Sequence, residues 1–171
     1  MRNLELKFRC ENLAAARARA RALGAADHGI RKQVDYFFPA PAGRLKLRDL
    51  GDGTGELIAY RRPDSREARG SDYLISRTTE PEMLRDTLAF ALGTGGTVRK
   101  RRHLFLWKHT RIHLDEVDDL GSFVELETVM QDLSEEAGLA ELRQVVAALE
   151  LRDKDCVPLA YVDLLNNRAP C

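Results

Sequence analysis

Acidic side chains alternate near the start of the final third of the chain, where Glu125 and Glu127 flank Leu126. A period of two is that of a β-strand, so both carboxylates face the same side of a sheet. Basic side chains alternate in the same way in three other segments: Lys7 and Arg9; Arg44, Lys46 and Arg48; Lys100 and Arg102. Cations gathered on one face suit a polyanion, and paired carboxylates suit a hard divalent cation. The pattern therefore predicts a site for a polyanion together with a metal ion.

The simplest interpretation of a charged strand face is that it contacts water. On a solvated face, however, charges of both signs are normally mixed within a strand, because cross-strand neighbours pair. Here the signs are sorted by strand. The apolar faces of the same strands, for example Leu45 and Leu47, are also the faces that helices must cover. We therefore expect the charged faces to line the lumen of a closed sheet.

Hydrophobic periodicity and turn signals predict about eight strands and three or four helices. The strands come in adjacent pairs with short connections, which favours an antiparallel sheet or barrel over β-α-β units. Strands are predicted at residues 3–9, 33–38, 44–48, 56–62, 71–77, 98–107, 111–117 and 123–129. Helices are predicted at residues 13–23, 81–92 and 134–150, with a short one within 157–165.

Length and composition bound the class of protein. The chain has 171 residues, with 27 Lys and Arg against 27 Asp and Glu, which suits a single domain over residues 1–171. The balanced charge provides no overall field for nucleic acid or a membrane surface, so neither partner is expected. Cys10, Cys156 and Cys171 are dispersed, which argues against a disulfide framework or a cysteine zinc site. Because no apolar stretch resembles a signal peptide or a membrane span, we expect a cytoplasmic protein.

Six short segments follow one another in a fixed order: E-L-K at 5–7, Q-V-D at 33–35, G-R-L-K-L-R at 43–48, V-R-K-R-R at 98–102, I-H-L-D-E-V at 112–117 and L-G-S-F-V-E-L-E at 120–127. Together they resemble the motif series of the CYTH superfamily, the triphosphate tunnel metalloenzymes, which include class IV adenylate cyclases and thiamine triphosphatases. The segment at 161–165 resembles the tail of the cyclase-type members. The resemblance implies an α+β fold, namely an eight-stranded antiparallel β-barrel that forms a tunnel, with flanking helices.

The resemblance also implies roles for individual residues. By position in the motifs, Mg²⁺ or Mn²⁺ is expected to bind three ligands: Glu5, Glu125 and Glu127. The triphosphate is expected to contact seven basic residues: Lys7, Lys46, Arg48, Arg61, Lys100, Arg102 and Arg111. The catalytic group is expected to comprise Glu5, Lys7, Arg111 and Asp115, with Asp115 helping to hold the metal or to orient the attacking group.

Two positions depart from the family pattern. The family opens with Glu-x-Glu-x-Lys, and its first glutamate is Asn3 here. An amide oxygen coordinates a hard cation without bringing charge, so a second metal ion is expected to bind more weakly. Phe37 stands where the family often has a tyrosine, which is expected to alter how a nucleoside or other leaving group is held.

The sequence leaves the reaction open and favours the class IV adenylate cyclase type. In that reaction the ribose 3′-hydroxyl attacks the α-phosphorus of ATP and gives cyclic AMP and pyrophosphate. Water attacking the terminal phosphorus instead would make the protein a hydrolase of inorganic or organic triphosphate. A third interpretation is a non-catalytic binder of polyphosphate or nucleotide, left by the loss of a carboxylate at Asn3. A homodimer through the helical side of the barrel is compatible with the pattern, which does not require one.

The remaining candidates are weaker. The four histidines, His28, His103, His109 and His113, show no metal-ligand spacing, so no direct role is expected for them. The basic run at 99–102 is divided by strand alternation between two faces, which argues against a nucleic-acid patch.

Overall fold

The computed structural model describes residues 1–62 and 67–167. Within these residues the chain forms eight strands and four α-helices. The strands are β1 (Arg2–Arg9), β2 (Ala26–Phe38), β3 (Arg44–Asp49), β4 (Gly55–Arg61), β5 (Arg69–Thr78), β6 (Gly96–Trp107), β7 (Thr110–Val117) and β8 (Gly121–Val129). The helices are α1 (Leu13–Ala22), α2 (Pro81–Leu92), α3 (Glu135–Ala148) and α4 (Tyr161–Asn166). None of the helices in the described part of the chain has the length and apolar character needed to cross a membrane.

The eight strands form one closed antiparallel ring in the order β1-β5-β4-β3-β2-β6-β7-β8. Every pair of neighbours is antiparallel, including the closing pair β1 and β8. The predicted α+β class with an eight-stranded antiparallel tunnel and flanking helices is thus confirmed. Eight strands enclose an interior just wide enough for side chains and one small ligand.

The largest difference from the predicted elements is the start of β2, which begins at Ala26 rather than at residue 33. Residues 26–32 are mostly exposed, and their pairing with β6 shifts register between Asp27 and Ile30. A segment exposed on both faces carries no hydrophobic alternation. Its strand conformation therefore comes from hydrogen bonding to β6 and leaves no signal in the sequence.

The main hydrophobic core lies outside the ring, between β1, β7 and β8 and the helices α1 and α3. Phe8, Ile112 and Leu126 project from the outer strand faces and are almost fully buried against helical residues such as Leu142 and Val145. Burying these apolar faces stabilises the fold by about 25 cal/mol per Å² of apolar surface. Because successive strand residues point to opposite faces, the alternate polar residues must then face the lumen.

A second core closes around the C-terminal segment at one end of the ring. Phe37, Val98 and Phe123, which belong to inner strand faces, pack against residues 157–162. Gly96 permits this close approach, since a Cβ there would lie 2.9 Å from Cγ2 of Val162. Gly96 also has a φ of 123°, in the region that favours glycine. As a result, Tyr161 at the start of α4 reaches the charged residues of the lumen.

The structure describes two of the three cysteines, for which no disulfide framework is expected. Cys10 and Cys156 are free thiols, whereas Cys171 lies outside the described residues.

Candidate functional site

The lumen brings together charged residues that lie far apart in the sequence. Strand register places Glu5 opposite Glu127, Lys7 opposite Glu125, and Arg111 on the other side of Glu127. These residues line one common cavity inside the ring. Nine of the residues expected to act on ligand or metal line it: Glu5, Lys7, Lys46, Arg48, Lys100, Arg102, Arg111, Glu125 and Glu127.

Arg61 does not lie in the lumen, which corrects the phosphate contact expected at that position. On β4 the register pairs Ile58 with Lys46, so the even-numbered residues face inward and Arg61 is exposed on the outside. The adjacent Arg62 lines the cavity instead, with its side chain only 4% exposed. The period of two therefore assigns the inward guanidinium to position 62, one residue beyond the expected one.

On the wall formed by β3, β2 and β6, a single carboxylate is surrounded by cations; we call Asp35, Lys46, Arg48 and Lys100 the basic wall. Arg48 donates to Asp35 at 2.8 and 3.1 Å, Lys46 donates at 3.1 Å and Lys100 at 2.7 Å. Burial raises the pKa of Asp35, but Arg48, Lys100 and Lys46 together hold that pKa well below its usual value. One carboxylate against three cations leaves this wall with surplus positive charge.

The surplus positive charge affects the pKa of Lys100. Burial lowers its pKa, and the nearby guanidinium groups of Arg48 and Arg102 lower it further. Asp35 opposes these effects only in part, so the pKa falls to about 7. A cation held under such repulsion gains a partner when an anion binds, which is the property expected of a phosphate-binding group.

On the wall formed by β7, β8 and β1, carboxylates predominate; we call Glu5, His113, Glu125 and Glu127 the acidic wall. Burial raises the pKa of Glu5, and the negative charges of Glu127 and Glu125 raise it further. The compensating hydrogen bond to Glu5 comes from Arg62 at 3.0 Å. Clustered carboxylate oxygens that repel one another are the donor set that Mg²⁺ and Mn²⁺ take. The residues thus fit the expected metal ion.

Arg102 lies at the seam between the two walls. Its guanidinium donates two hydrogen bonds to Asp115, at 2.7 and 2.6 Å, and one to Glu125 at 2.6 Å. The hydroxyl of Tyr161 donates to the same carboxyl of Asp115 at 2.9 Å. Burial raises the pKa of Tyr161, and the Asp115 charge raises it further, so this hydroxyl remains a donor.

Asp115, for which a catalytic role is expected, does not line the cavity that the other expected residues share. It is fully buried and lines neither of the two cavities that the described residues form inside the ring. Its oxygens are occupied by Arg102 and Tyr161. We therefore propose that Asp115 positions Arg102 rather than touching metal or substrate.

Although no direct role is expected for a histidine, the structure places His113 beside two of the expected metal ligands. Donor atoms of His113, Glu125 and Glu127 all lie within 4.8 Å of one another. His113 is brought there by cross-strand register, since it pairs with Glu125 across β7 and β8. The spacing of residues along the chain does not indicate this cluster. Aligning the alternating residues of β7 with those of β8 would have placed His113 beside Glu125. Arg62 was likewise missed by one position, and Tyr161 was noted only as part of the C-terminal tail.

The first glutamate of the family motif, replaced by Asn3, also faces the lumen. Asn3 is 3% exposed, lines the same cavity as Glu5 and Lys7, and accepts a hydrogen bond from the hydroxyl of Tyr73 at 3.2 Å. A neutral amide therefore stands on the inner face of β1, beside Glu5 of the acidic wall, where the family has a further carboxylate.

Comparison with known proteins agrees with this geometry. The model of the CYTH domain family matches residues 1–161. The chain belongs to the CYTH domain family. Members of this family are typically enzymes, adenylate cyclases or triphosphatases, and are generally metal-dependent. A search of curated proteins finds no match.

Solved structures share the CYTH fold. The PH1012 protein from Pyrococcus horikoshii OT3 is 25% identical, with a TM-score of 0.84 over 95% of this chain and 98% of that one. A proposed adenylate cyclase from Vibrio parahaemolyticus is 21% identical, with a TM-score of 0.77 over 96% and 97%. HpAC1 from Hippeastrum, described with a dominant triphosphatase activity, is 14% identical, with a TM-score of 0.67 over 96% and 95%. At these identities the last two likenesses concern the fold alone.

Proposed function

We propose that this CYTH protein is a metal-dependent enzyme that acts on an organic triphosphate and converts ATP to cyclic AMP and pyrophosphate. The observation that carries the proposal is one buried cavity in which a basic wall, an acidic wall and an apolar surface meet. Each of the three matches a different part of a metal–nucleotide complex.

The charge of the cavity suits a triphosphate. Among the described residues that line it, lysines and arginines outnumber carboxylates by seven to four. A triphosphate carries about four negative charges, and phosphoryl chemistry depends mainly on neutralising and positioning them. The basic wall supplies the cations that would bind the phosphate oxygens.

The apolar part of the cavity supports an organic triphosphate over an inorganic one. Phe37, Ile58, Tyr60 and Ile75 line the same space as the basic wall. The ammonium group of Lys46 lies 5.7 Å from the ring centre of Phe37 and 5.6 Å from that of Tyr60. Apolar surface beside a few convergent polar groups is typical of a site that orients a ring-bearing ligand. A nucleoside would therefore border the cations that hold its phosphates.

Glu5, Glu125 and Glu127 are the residues that would hold the metal. When bound, Mg²⁺ or Mn²⁺ would neutralise charge on the phosphate oxygens. Arg102, held by its hydrogen bonds to Asp115, lines the same cavity and would contact the same oxygens. In cyclisation the ribose 3′-oxygen bonds to the α-phosphorus, the bond from that phosphorus to the pyrophosphate oxygen breaks, and the hydroxyl proton passes to solvent. The basic wall would stabilise the charge that the pyrophosphate gains.

Hydrolysis is a second candidate, favoured by a polar mouth at the other end of the lumen. This second cavity shares Arg48, Arg102, Arg111 and Glu127 with the first. It is also lined by exposed polar residues, among them His28 and Arg31. Water entering through this mouth would reach the phosphate end of a bound triphosphate, which is the approach that a triphosphatase needs.

Product analysis tests the proposal. The purified protein is incubated with ATP and with inorganic triphosphate, each with Mg²⁺, Mn²⁺ or a chelator, and cyclic AMP, pyrophosphate and orthophosphate are quantified. Cyclic AMP that forms only with metal supports the cyclase. Orthophosphate without cyclic AMP supports hydrolysis, and thermal stabilisation by triphosphate without any turnover contradicts an enzyme.

A matched pair of variants ties any turnover to the lumen. Arg62→Gln removes a guanidinium from the cavity and is expected to lower turnover about tenfold or more, since it hydrogen-bonds Glu5. Arg61→Gln changes the neighbouring exposed guanidinium and is expected to leave turnover unchanged. Equal effects of the two variants would contradict the placement of the site inside the ring.

A further inference from the structure

We propose that His113 supplies a nitrogen ligand to the metal ion of the acidic wall and makes the site prefer Mn²⁺ to Mg²⁺. The inference rests on the proposed function only in that a divalent ion binds in the lumen. It adds a metal preference and a residue that sets it.

The first observation is the position of His113. Its Nδ1 lies 3.7 Å from Oε1 of Glu127 and 3.9 Å from Oε2 of Glu125. These distances are too long for hydrogen bonds, yet they are short enough for one ion between the three groups. The side chain is 6% exposed, so its ring is held in place by the surrounding lumen.

The second observation is that the buried Nδ1 of His113 has no hydrogen-bond partner among the described residues. Buried polar atoms are rarely left in this condition in folded proteins. The Nδ1 of His103 is also buried without a partner, but the rings of His103 and His109 each have one carboxylate at hydrogen-bond distance, and neither ring belongs to a cluster that could hold a metal ion among the described residues. His103 contacts Asp27 at 2.6 Å, and His109 contacts Glu141 at 3.1 Å. The unpartnered nitrogen directed at two carboxylates is the arrangement expected of a ligand set whose ion is the missing partner.

The chemical types of the ligand atoms decide which ion the site binds more tightly. Mg²⁺ takes oxygen ligands in a strict octahedral arrangement and keeps several waters. Imidazole binds first-row transition ions more readily, and carboxylates suit Mn²⁺. A site in which one imidazole joins the carboxylates therefore gains affinity for Mn²⁺ while offering Mg²⁺ a ligand that it binds poorly. Glutamates alone would not discriminate in this way.

Electron paramagnetic resonance of bound Mn²⁺ tests the inference without any turnover. Titration of the full chain with Mn²⁺ follows the loss of the free-ion signal, and pulsed measurements detect magnetic coupling to a ligand nitrogen. The wild-type protein is expected to show nitrogen coupling. Competition with Mg²⁺ then measures the ratio of the two affinities.

His113→Ala is expected to abolish the nitrogen coupling and to lower Mn²⁺ affinity about tenfold, with Mg²⁺ affinity within about twofold of wild type. His113→Gln places an oxygen donor at similar reach and is expected to shift the preference toward Mg²⁺. His28→Ala, which changes an exposed histidine at the polar mouth, is the matched control and is expected to retain coupling and both affinities. Thermal unfolding without metal checks that each variant is folded.

Bound Mn²⁺ without nitrogen coupling in the wild-type protein would overturn the inference, and this measurement needs no variant. Equal loss of Mn²⁺ and Mg²⁺ affinity in His113→Ala would also overturn it, because a structural role predicts that result. The outcomes remain separate from those of the proposed function. Nitrogen-coupled Mn²⁺ without turnover would contradict the enzyme alone, and metal-dependent turnover without the coupling would contradict the ligand alone.

Discussion

One carboxyl group on each wall of the tunnel shows how strongly the neighbours differ, because the pKa of Asp35 is lowered and that of Glu5 is raised. Asp35 and Glu5 are both buried carboxylates, and burial raises the pKa of each. On the basic wall, Arg48 and two lysines reverse this effect and hold the pKa of Asp35 well below its usual value. On the acidic wall, Glu127 and Glu125 add to it and the pKa of Glu5 rises. Because both carboxyl groups are buried, the difference between their pKa shifts comes from the neighbours that strand register gives each of them.

This difference shows why the tunnel suits a composite ligand. The basic wall has more cations than its one carboxylate can neutralise. On the acidic wall, Glu127 and Glu125 raise the pKa of Glu5, while nearby cations hold the pKa of Glu125 well below its usual value and lower that of Glu127. A metal–triphosphate complex offers each wall the charge that it lacks, whereas either component alone satisfies one wall only.

The largest effect is expected from removing the only carboxylate of the basic wall. Asp35→Asn leaves Lys46, Arg48 and Lys100 without their counter-charge, and breaking such a buried pair costs about 3–5 kcal/mol of the free energy of unfolding. Inorganic triphosphate should restore most of that loss, because a polyanion replaces the missing charge. Urea unfolding with and without triphosphate measures both effects.

The control for this change is Asp72→Asn, which alters an exposed aspartate on β5 and is expected to leave stability within about 0.5 kcal/mol of wild type. If triphosphate stabilised Asp35→Asn no more than the wild-type protein, the basic wall would not be the phosphate-binding wall.

The next effect concerns the acidic wall. Glu127→Gln keeps the shape of the side chain but removes one charge from the metal cluster, and we expect metal-dependent turnover to fall at least about 100-fold. The fold should persist, since Glu127 lies in the lumen and not in the outer core. Steady-state rates with Mg²⁺ and with Mn²⁺ provide the measurement.

Glu116→Gln serves as the comparison, because Glu116 is a half-exposed glutamate paired with Arg101 on the outer face of β7. Turnover of this variant should match wild type. A Glu127→Gln enzyme as active as Glu116→Gln would place the metal elsewhere.

The smallest effect is a pH dependence of triphosphate binding. With a pKa of about 7, Lys100 loses its proton as the pH rises from 7 to 9, and a neutral amine no longer attracts phosphate. Affinity should therefore fall with rising pH in this window, by at most about tenfold per unit from this group. Lys100→Ala should bind about tenfold more weakly at pH 7 and show a flatter profile. Calorimetric titration with inorganic triphosphate, at several pH values and without metal, measures both.

Lys32→Ala, an exposed lysine of β2, controls for a general change in charge and should keep the wild-type profile. A profile for Lys100→Ala as steep as that of wild type would assign the titration to another group.

Much of the fold could be predicted from local patterns. Alternation in β1, β3 and β8 indicated both the strands and the faces they turn inward, and the side chain of Asn12 caps α1 by accepting from the backbone N–H of Ala15. The exposed first half of β2 left no periodic signal and was missed. Local patterns identify an element only where the element separates apolar from polar surroundings.

The candidate site was less accessible to sequence reasoning. Arg61 was one residue out of phase, because a pair of adjacent arginines is ambiguous until the partner strand fixes which of them faces inward. Asp115 was given a direct role, although Arg102 and Tyr161 occupy its oxygens. The proximity of His113 to Glu125 and Glu127 depends on pairing between two strands, which spacing along the chain does not indicate.

By itself, the sequence determined the antiparallel class, the phase of most strands and the sorting of charges by strand. These follow from a period of two, which is a local property of the backbone. Only the tertiary structure decided that Asp35 joins three cations, that Glu5 faces Glu127, and that the buried nitrogen of His113 points at two carboxylates. Ring closure and register bring together side chains from strands distant in the chain. In a buried space their mutual charges, more than their residue types, set what each group can bind.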